Sequence, residues 1–327
     1  MRHITVSEYG QSLGLASQRL QVRQHREVIA EYPLSRIKTV SVARNGVGLS
    51  SDLILACAAR GIRLFLLDFR GVPIACVSHS HQHAACSVRE AQFSYVADFE
   101  CASLCRQMVY GKLRNQRAVL LYFRKYHKGE AASIADSAGE LARLGEMAKN
   151  YSARVPRWRD QLMGIEGQGA RIYWQALASV GLMTADFPGR TGRFARDTGN
   201  AALNLGYAIL QSYVWNAVLN AGLEPYAGAL HARRDGKPSL VLDLMEEYRP
   251  WVVDRTVIRN RQALDEARDL SAAIRRRIIG GVHRTFARRY PYRGRKLGLE
   301  SILQRQVYRL AGEFCGRNTY RPYLFRW

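Results

Sequence analysis

The apolar pattern of the chain changes once along its length, and that change limits the fold class. Residues 1–78 carry short apolar segments between Gly, Ser, Gln or basic residues, and Ile37–Ala43 alternates apolar with polar side chains. Such alternation is typical of a half-buried β-strand. From about residue 90 onward, apolar residues recur at helical spacing over long segments. The sequence therefore predicts an α+β protein, with a β-rich N-terminal domain followed by a larger, all-α domain.

One helix is expected inside the β-rich domain. Ser50 and Ser51 precede the segment Asp-Leu-Ile-Leu-Ala-Cys-Ala-Ala, and Gly61 follows it. A serine N-cap and a glycine after the last turn are common helix boundaries. We place the two domains at residues 1–85 and 86–327. In the second domain the apolar spacing predicts these helices: Glu90–Tyr126 with a mild break at Gly111, Glu130–Asn150, Gly164–Gly181, Asn200–Leu219, Asp254–Ile279 and Leu297–Cys315.

The charge balance predicts a polyanionic partner. The 327 residues include 49 Lys and Arg against 27 Asp and Glu, a formal net charge of +22. Arg exceeds Lys, and guanidinium groups bind phosphate in a bidentate way, so nucleic acid is favoured over an anionic membrane surface. Near the C-terminus the Arg residues alternate with aromatic ones, although a solvated helix face is the simpler alternative. The expected phosphate contacts are Arg190, Arg193, Arg196, Arg293, Arg295 and Lys296.

Segments for export or membrane insertion are not expected. The N-terminal residues lack the apolar core of a signal peptide, and no uncharged run approaches the ~20 residues that span a bilayer. None of the six Cys forms a Cys-x-x-Cys pair, and Cys101 and Cys105 are spaced for one buried helix face. The sequence therefore predicts a reducing cytoplasm without disulfides and no membrane partner.

Residues 231–250 offer a candidate metal site. Asp243 and Glu246 are three positions apart and would share one helix face, and a turn can bring His231 beside them. Mixed nitrogen and oxygen ligands suit Mg²⁺ or Mn²⁺. The simpler alternative is a solvated acidic face. A second candidate comprises His79, His81 and His83, which alternate along the chain, but we favour a polar loop there.

Protein nucleophiles are poorly represented among the motifs. The chain has no Gly-x-Ser-x-Gly elbow, no Walker lysine loop and no His-Glu-x-x-His motif. Phosphodiester chemistry without a protein nucleophile requires a metal ion, and a basic groove must bring the polyanion to it. Asn200, Asn204 and Tyr207 lie on one polar stripe of an otherwise apolar helix, which favours a wet site over solvent.

Four collinear motifs carry a resemblance to a known family. They are Gly164-Ile165-Glu166-Gly167-Gln168-Gly169-Ala170-Arg171-Ile172-Tyr173-Trp174, Asn200-Ala201-Ala202-Leu203-Asn204-Leu205-Gly206-Tyr207, Gly222-Leu223-Glu224-Pro225-Tyr226-Ala227-Gly228-Ala229-Leu230-His231 and Leu242-Asp243-Leu244-Met245-Glu246-Glu247-Tyr248-Arg249-Pro250. In this order they resemble the glutamate, asparagine, histidine and acidic motifs of the CRISPR-associated endonuclease/integrase of spacer acquisition, the "Cas-one" family. The resemblance runs nearly end to end.

The resemblance implies a catalytic metal site. Glu166, His231 and Glu246 match the family's three ligands for Mg²⁺ or Mn²⁺, and Asp243 matches an additional acid that can help to hold the metal or its water. We expect the site to be lined by Asn200, Asn204, Tyr207 and Tyr173. The N-terminal domain would be β-sandwich-like and would serve dimerisation and DNA-end binding.

The resemblance also implies an activity and partners. The reaction would be transesterification, in which the 3′-hydroxyl of a prespacer DNA end attacks a phosphodiester of the CRISPR repeat. The expected partners are double-stranded DNA, a second copy of the chain, the small ferredoxin-like adaptation protein ("Cas-two") and an end-trimming nuclease, in a prokaryotic cytoplasm. Two alternatives stay open, namely a metal-dependent branched-DNA repair nuclease and a non-catalytic DNA-binding scaffold.

Overall fold

The structure is a computed structural model, and it has an N-terminal β-rich part and a C-terminal helical part. It describes residues 2–68, 73–78, 86–99, 101–152, 157–192, 195–231, 235–267 and 269–326. The candidate histidines 79, 81 and 83 lie outside these residues. Among the described residues, no helix combines the length and the apolar character that crossing a bilayer requires.

The N-terminal part consists of two four-stranded sheets and one helix. The strands are β1 (Arg2–Val6), β2 (Gln11–Ala16), β3 (Arg19–Gln24), β4 (Glu27–Pro33), β5 (Ile37–Val42), β6 (Gly48–Leu49), β7 (Arg63–Leu67) and β8 (Pro73–Val77), and the helix is α1 (Ser51–Ala59). One sheet has the order β1-β5-β7-β8 and the other β4-β3-β2-β6. A 3₁₀ turn, Leu34–Arg36, connects the sheets between β4 and β5. Both sheets contribute to one core, which includes Leu13 and Leu20 from one sheet, Val40 and Leu64 from the other, and Leu53 from α1.

Two tight hairpins set the register of the second sheet. β2 pairs with β3 and β3 with β4, in both cases antiparallel. The loop residues Ser17 and Gln18 have φ 45° and 60°, and His25 and Arg26 have φ 48° and 72°. Two consecutive positive φ angles match the right-handed twist of the flanking strands. The predicted β-rich domain with one embedded helix is confirmed, and Ser50 caps that helix by accepting from Leu53 N.

The C-terminal part is mostly helical. Its helices are α2 (Cys86–Ala97), α3 (Cys101–Arg124), α4 (Ala131–Lys149), α5 (Trp158–Ser179), α6 (Thr198–Asn220), α7 (Ser239–Tyr248), α8 (Arg255–Ile258), α9 (Arg261–Asp265), α10 (Ala272–Ala287) and α11 (Leu299–Phe314), with a π-helical segment at Arg249–Asp254. α6 lies at the centre and is buried on nearly all sides. Helices α7, α10 and α11 pack around it, which carries the α7 residues of the candidate site into the interior.

The first long helix breaks at a different place from the one predicted. The break falls between α2 and α3, and Gly111 lies in the middle of α3. A Cβ atom at Gly111 would lie 2.5 Å from the Cβ atom of Pro322. The glycine therefore allows the C-terminal segment to cross α3 at close range, which is a tertiary requirement rather than a helix-breaking one.

The expectation of an all-α second domain needs a correction. Strands β9 (Arg289–Tyr292) and β10 (Arg295–Gly298) form an antiparallel hairpin between α10 and α11. Arg293 and Gly294 form its two-residue loop, with φ 46° and 77°. The alternation of aromatic and basic side chains at residues 289–297 is therefore the period of a strand pair.

A partly buried polar cluster joins the β-rich part to α10 and α11. His283 on α10 lies 2.8 Å from the Tyr213 hydroxyl through Nδ1 and 3.1 Å from Thr5 Oγ1 through Nε2. Nearby, Glu300 lies 2.9 Å from His3 Nε2 and forms an ion pair with Lys38 at 2.7 Å. Hydrogen bonds and an ion pair therefore hold the β-rich part against the helical part.

This cluster predicts a loss of stability in mild acid. Burial, assisted by the neighbouring His3, lowers the pKa of His283 to about 4. As the pH falls from ~6.5 to 4, this histidine becomes protonated in the unfolded chain but stays neutral in the folded chain. The free energy of unfolding should fall over that window by up to about 3 kcal/mol, at 1.36 kcal/mol per pKa unit. A His283→Gln variant should lose this dependence in denaturant titrations at several pH values. Equal slopes for the variant and the parent would contradict the prediction.

Candidate metal centre

Two buried glutamates from different helices meet around one lysine. Glu166 on α5 is 7% exposed and Glu246 on α7 is 3% exposed. Lys112, on the buried side of α3, donates through Nζ to Glu166 Oε1 and lies 2.6 Å from Glu246 Oε2. Arg249 approaches the other oxygen of Glu246 at 2.5 Å. Helices far apart in sequence thus bring together the two carboxylates that the sequence proposed as ligands.

Asp243 fixes the position and the tautomer of His231. Its Oδ2 accepts from the backbone N–H groups of Ala229 and Leu230, at 2.8 and 3.0 Å. Its Oδ1 lies 3.0 Å from His231 N and 2.6 Å from His231 Nδ1. Because the carboxylate attracts the ring proton to Nδ1, the Nε2 lone pair of the neutral imidazole is available to a metal ion. These four bonds occupy both oxygens of Asp243, which favours a positioning role over direct ligation.

A glycine allows the histidine loop to reach α7. A Cβ atom at Gly228 would lie 2.6 Å from the Ser239 carbonyl carbon and 2.8 Å from Asp243 Oδ2. Ser239 Oγ also accepts from Gly228 N at 3.0 Å and donates to Tyr226 O at 2.6 Å. From the other side, Gln92 on α2 binds backbone groups of Glu224 and Ala227. The loop that carries His231 is therefore held by α7 on one side and by α2 on the other.

The charged groups around Glu246 keep its carboxylate ionised. Burial opposes ionisation of Glu246, but Arg249 and Lys112 outweigh it and lower the pKa of the carboxyl to about 2. Burial likewise disfavours the charged imidazole, yet Asp243, Glu246 and Glu166 together raise the pKa of His231. His231 is therefore close enough to both glutamates to feel their charge. Metal binding at Nε2 would compete with a proton there.

The types of donor at this centre, rather than their spacing, suit a hard divalent cation. Among the described residues, no three His, Cys, Asp or Glu side chains stand at metal-binding separations, and the Lys112 ammonium lies between the two carboxylates instead. Glu246 Oε2 is buried without a hydrogen-bond partner beyond that ion contact. Two carboxylates and one unprotonated imidazole nitrogen are ligands that Mg²⁺ and Mn²⁺ accept. A metal ion that binds here would have to replace the Lys112 ammonium between the two carboxylates.

Replacing Asp243 with asparagine should weaken the centre without dismantling it. The amide cannot hold the Nδ1 proton as a carboxylate does, so we expect metal affinity and activity to fall by about 10- to 100-fold. The pH profile of activity should also shift to lower pH, because the carboxylate raises the pKa of His231. Ser239→Ala is the matched control, since it loosens the same loop but leaves the imidazole partner. Equal losses in the two variants would contradict a positioning role for Asp243.

The predicted polar stripe of α6 forms a cradle for Arg190. The guanidinium of Arg190 donates to Asn200 Oδ1 at 2.9 Å and to Asn204 Oδ1 at 2.7 Å. It also lies 5.1 Å from the ring centroid of Tyr207, and Arg249 lies 4.9 Å from the same centroid. Since Arg249 contacts Glu246, the stripe connects Arg190 with the carboxylate pair. Both tyrosines of the predicted lining, Tyr207 and Tyr173, donate to Asp254, at 2.6 and 3.1 Å.

The other predicted phosphate contacts lie on the surface. Arg196 is exposed just before α6, while Arg293, Arg295 and Lys296 are exposed at the β9–β10 hairpin. Arg293 packs 5.8 Å from the ring centroid of Tyr292. Arg193 lies outside the described residues. Exposure leaves these side chains accessible to a polyanion, and their contact with phosphate stays a prediction.

Sequence reasoning missed Lys112, Arg249 and Asp254 as members of this network. A signal existed for Lys112, which falls on the apolar stripe of α3 with the buried residues Met108 and Val119. A lone charge on such a stripe indicates a buried partner. Asp254 ends the π-helical segment, whose altered spacing the sequence pattern does not reveal.

The fold and the candidate metal centre together define a class of protein. A β-rich domain precedes a helical domain that contains two buried carboxylates, a partly buried histidine oriented by a third carboxylate, and an arginine held by two asparagines. Similarity to known proteins narrows this class to one family. The chain matches the family described as CRISPR associated protein Cas1 over residues 4–272, and it belongs to that family.

Known proteins are similar to this chain over its full length, in sequence or in fold. The chain is 44% identical over 327 residues, covering 100% of both sequences, to CRISPR-associated endonuclease Cas1 1 of Francisella tularensis subsp. novicida (strain U112). Its fold is similar to that of a casposase bound to integration product, with a TM-score of 0.82 at 20% identity over 100% of this chain and 95% of that one. It also resembles a Cas6-RT-Cas1–Cas2 complex chain, with a TM-score of 0.80 at 21% identity over 99% of this chain and 36% of that one.

Proposed function

We propose that this protein is a metal-dependent DNA endonuclease and integrase that inserts prespacer DNA into a CRISPR array. The observation that carries the proposal is the buried pair of Glu166 and Glu246 around Lys112, with His231 held by Asp243 close enough for both glutamates to raise the pKa of its imidazole. Membership of the Cas1 family and the endonuclease name of its relative support it.

Glu166, His231 and Glu246 would hold Mg²⁺ or Mn²⁺. The bound ion would neutralise charge on the phosphodiester and favour the oxyanion of the attacking hydroxyl. Asp243 holds the ring of His231 through Nδ1, so that the neutral imidazole would offer Nε2 to the metal, while Arg249 helps to keep Glu246 ionised. Arg190, which two asparagines and a tyrosine hold, would bind a neighbouring phosphate.

In the proposed reaction the 3′-oxygen of the prespacer end forms a bond to phosphorus. The bond from phosphorus to the 3′-oxygen of the repeat strand breaks, and that oxygen takes up a proton as the attacking hydroxyl loses one. One phosphodiester replaces another, so this step consumes no ATP. With water as the attacking group, the same centre would cut DNA.

The proposed partners are double-stranded DNA, Cas2, an end-trimming nuclease and a second copy of this chain, in a prokaryotic cytoplasm where the array lies. The similar structures support the first two, since one holds an integration product and another is a complex with Cas2. Apolar side chains at strand edges support the dimer. Val28 and Ile29 on the edge strand β4 are 46% and 54% exposed, and Ile74 on β8 is 69% exposed. Uncovered apolar edges of this kind favour pairing with another chain.

An integration assay tests the proposal. The protein and its Cas2 partner would be mixed with a short duplex and a plasmid that carries the repeat, with Mg²⁺ or Mn²⁺. We expect joining at the repeat with free 3′-hydroxyl ends and none with 3′-deoxy ends, because only the former provide the attacking oxygen. Cutting of branched DNA without joining would favour a repair nuclease instead, and DNA binding without cutting would favour a scaffold.

A further inference from the structure

A second basic site lies beside the short helix α8. Four arginines line a cavity of about 360 Å³ between α8 and α10, namely Arg255, Arg259, Arg284 and Arg288. Thr285 and Asn260 add polar side chains, and no acidic residue contributes to the described lining. No residue of the carboxylate centre lines this cavity, so it is a separate site.

Arg255 is the buried member of this group. It is 4% exposed, its Nε donates to Trp251 O at 3.1 Å, and its Nη2 lies 3.4 Å from Thr285 Oγ1. Its guanidinium also lies 4.5 Å from the ring centroid of Trp251. These partners are neutral, so they orient the guanidinium without compensating its charge.

The charges of the cavity are uncompensated. In the described part of the chain, none of the four guanidiniums forms an ion pair with a carboxylate. Burial lowers the pKa of Arg255, and the neighbouring charges of Arg259 and Arg288 lower it further. A buried guanidinium with further cations beside it is costly unless an anion binds among them. A ligand that offsets the repulsion among these guanidinium groups must carry negative charge and oxygen atoms that accept hydrogen bonds.

We propose that this cavity binds a backbone phosphate group of a DNA strand. Guanidinium groups bind phosphate oxygens through paired N–H donors, and several arginines around one cavity favour phosphate over a single carboxylate. Arg259, Arg284 and Arg288 are exposed at the rim, which leaves room for a continuous chain to enter and leave. The inference rests on the proposed function, because it assigns the cavity to the same DNA substrate.

The position of the cavity supports a strand over a free anion. Glu246 and Arg255 lie on one run of α-, π- and α-helix, nine residues apart. At about 1.5 Å per residue their backbones are separated by on the order of 10 Å. A DNA strand covers that span in a few nucleotides, at ~3.4 Å of rise each. A strand whose phosphate lies in the cavity can therefore pass near the carboxylate centre.

The test compares two triple variants in EDTA, so that catalysis plays no part. One variant replaces the exposed rim residues, as Arg259→Gln, Arg284→Gln and Arg288→Gln, and keeps the buried Arg255. The control variant removes three exposed charges elsewhere, as Arg36→Gln, Arg143→Gln and Lys149→Gln. Fluorescence anisotropy would report the Kd for labelled single- and double-stranded oligonucleotides between 50 and 300 mM salt, and thermal unfolding would report folding.

We expect the rim variant to bind DNA at least about tenfold more weakly than the control, with a salt slope lower by about one for each phosphate that the variant no longer binds. Equal Kd values and slopes for the two variants would overturn the proposal. A second arm adds inorganic pyrophosphate and measures the shift of the unfolding temperature. If the rim variant loses that shift yet binds DNA like the control, the cavity takes a free anion and the DNA assignment is wrong. Because no arm requires cutting or joining, failure of the proposed integrase activity would leave this result readable.

Discussion

A Glu166→Gln variant is expected to lose metal-dependent cutting and joining of DNA, by at least about 10³-fold, which equals about 4 kcal/mol of barrier. Glutamine has the shape of glutamate but not its charge. It leaves Lys112 paired with Glu246 alone, so the centre would keep its packing and lose one of its two anionic ligands. The Mg²⁺- or Mn²⁺-dependent conversion of plasmid and duplex to products, resolved on gels, measures the effect.

Glu247→Gln is a matched control on the neighbouring position of α7. Glu247 is also buried, but it accepts from the Tyr320 hydroxyl at 2.7 Å and from Tyr323 N at 2.8 Å, away from Lys112. Burial raises the pKa of Glu247 to about 7, so a neutral amide should be tolerated there. DNA binding in EDTA and the unfolding temperature should be similar in both variants. Activity of Glu166→Gln within tenfold of the control would remove Glu166 from the proposed centre.

The fold class was predictable because it depends on local periodicity. Alternation at residues 37–43 located a strand, and helical spacing after residue 90 located helices. The half-buried character predicted for that strand is wrong, because the polar positions Thr39 and Ser41 of β5 are buried as well. The break between α2 and α3 was not predictable in the same way. Gly111 lies inside α3 because Pro322 packs against it, and that contact joins segments about 200 residues apart. Local propensity cannot register such a contact.

The candidate site was predictable in part, for a related reason. The resemblance named the residues that would hold a metal, and the structure brings Glu166, Glu246 and His231 into one region. The resemblance does not reveal the Lys112 ammonium that lies between the two carboxylates, because Lys112 is on α3, outside all four motifs. The difference between Asp243 and Glu246 is likewise tertiary. Three backbone N–H groups of the histidine loop point at Asp243, whereas Glu246 faces Lys112 and Arg249.

A Lys112→Met variant should be less stable without metal and should recover when metal is added. Methionine fills a similar volume but leaves Glu166 without its cation and places two buried carboxylates face to face. Removing one partner of a buried ion pair typically costs about 3–5 kcal/mol, which corresponds to a fall in Tm of about 6 °C or more for a domain of this size. Mn²⁺ binding would replace the lost positive charge, so the rise in Tm on adding Mn²⁺ should be larger in the variant than in the parent protein.

Lys149→Met is the matched control, because Lys149 is exposed and its ion pair is with Glu146 on its own helix. Its Tm should stay near that of the parent, with and without Mn²⁺, since exposed pairs contribute little. Isothermal titration in buffer at fixed pH should also give a higher Mn²⁺ affinity for Lys112→Met, because the cation no longer competes with an ammonium for the same two carboxylates. If Lys112→Met loses the same stability in EDTA and in Mn²⁺, the metal does not bind where Lys112 lies. Glu166 and Glu246 would then be a structural pair, and the proposed catalytic centre would have to lie elsewhere.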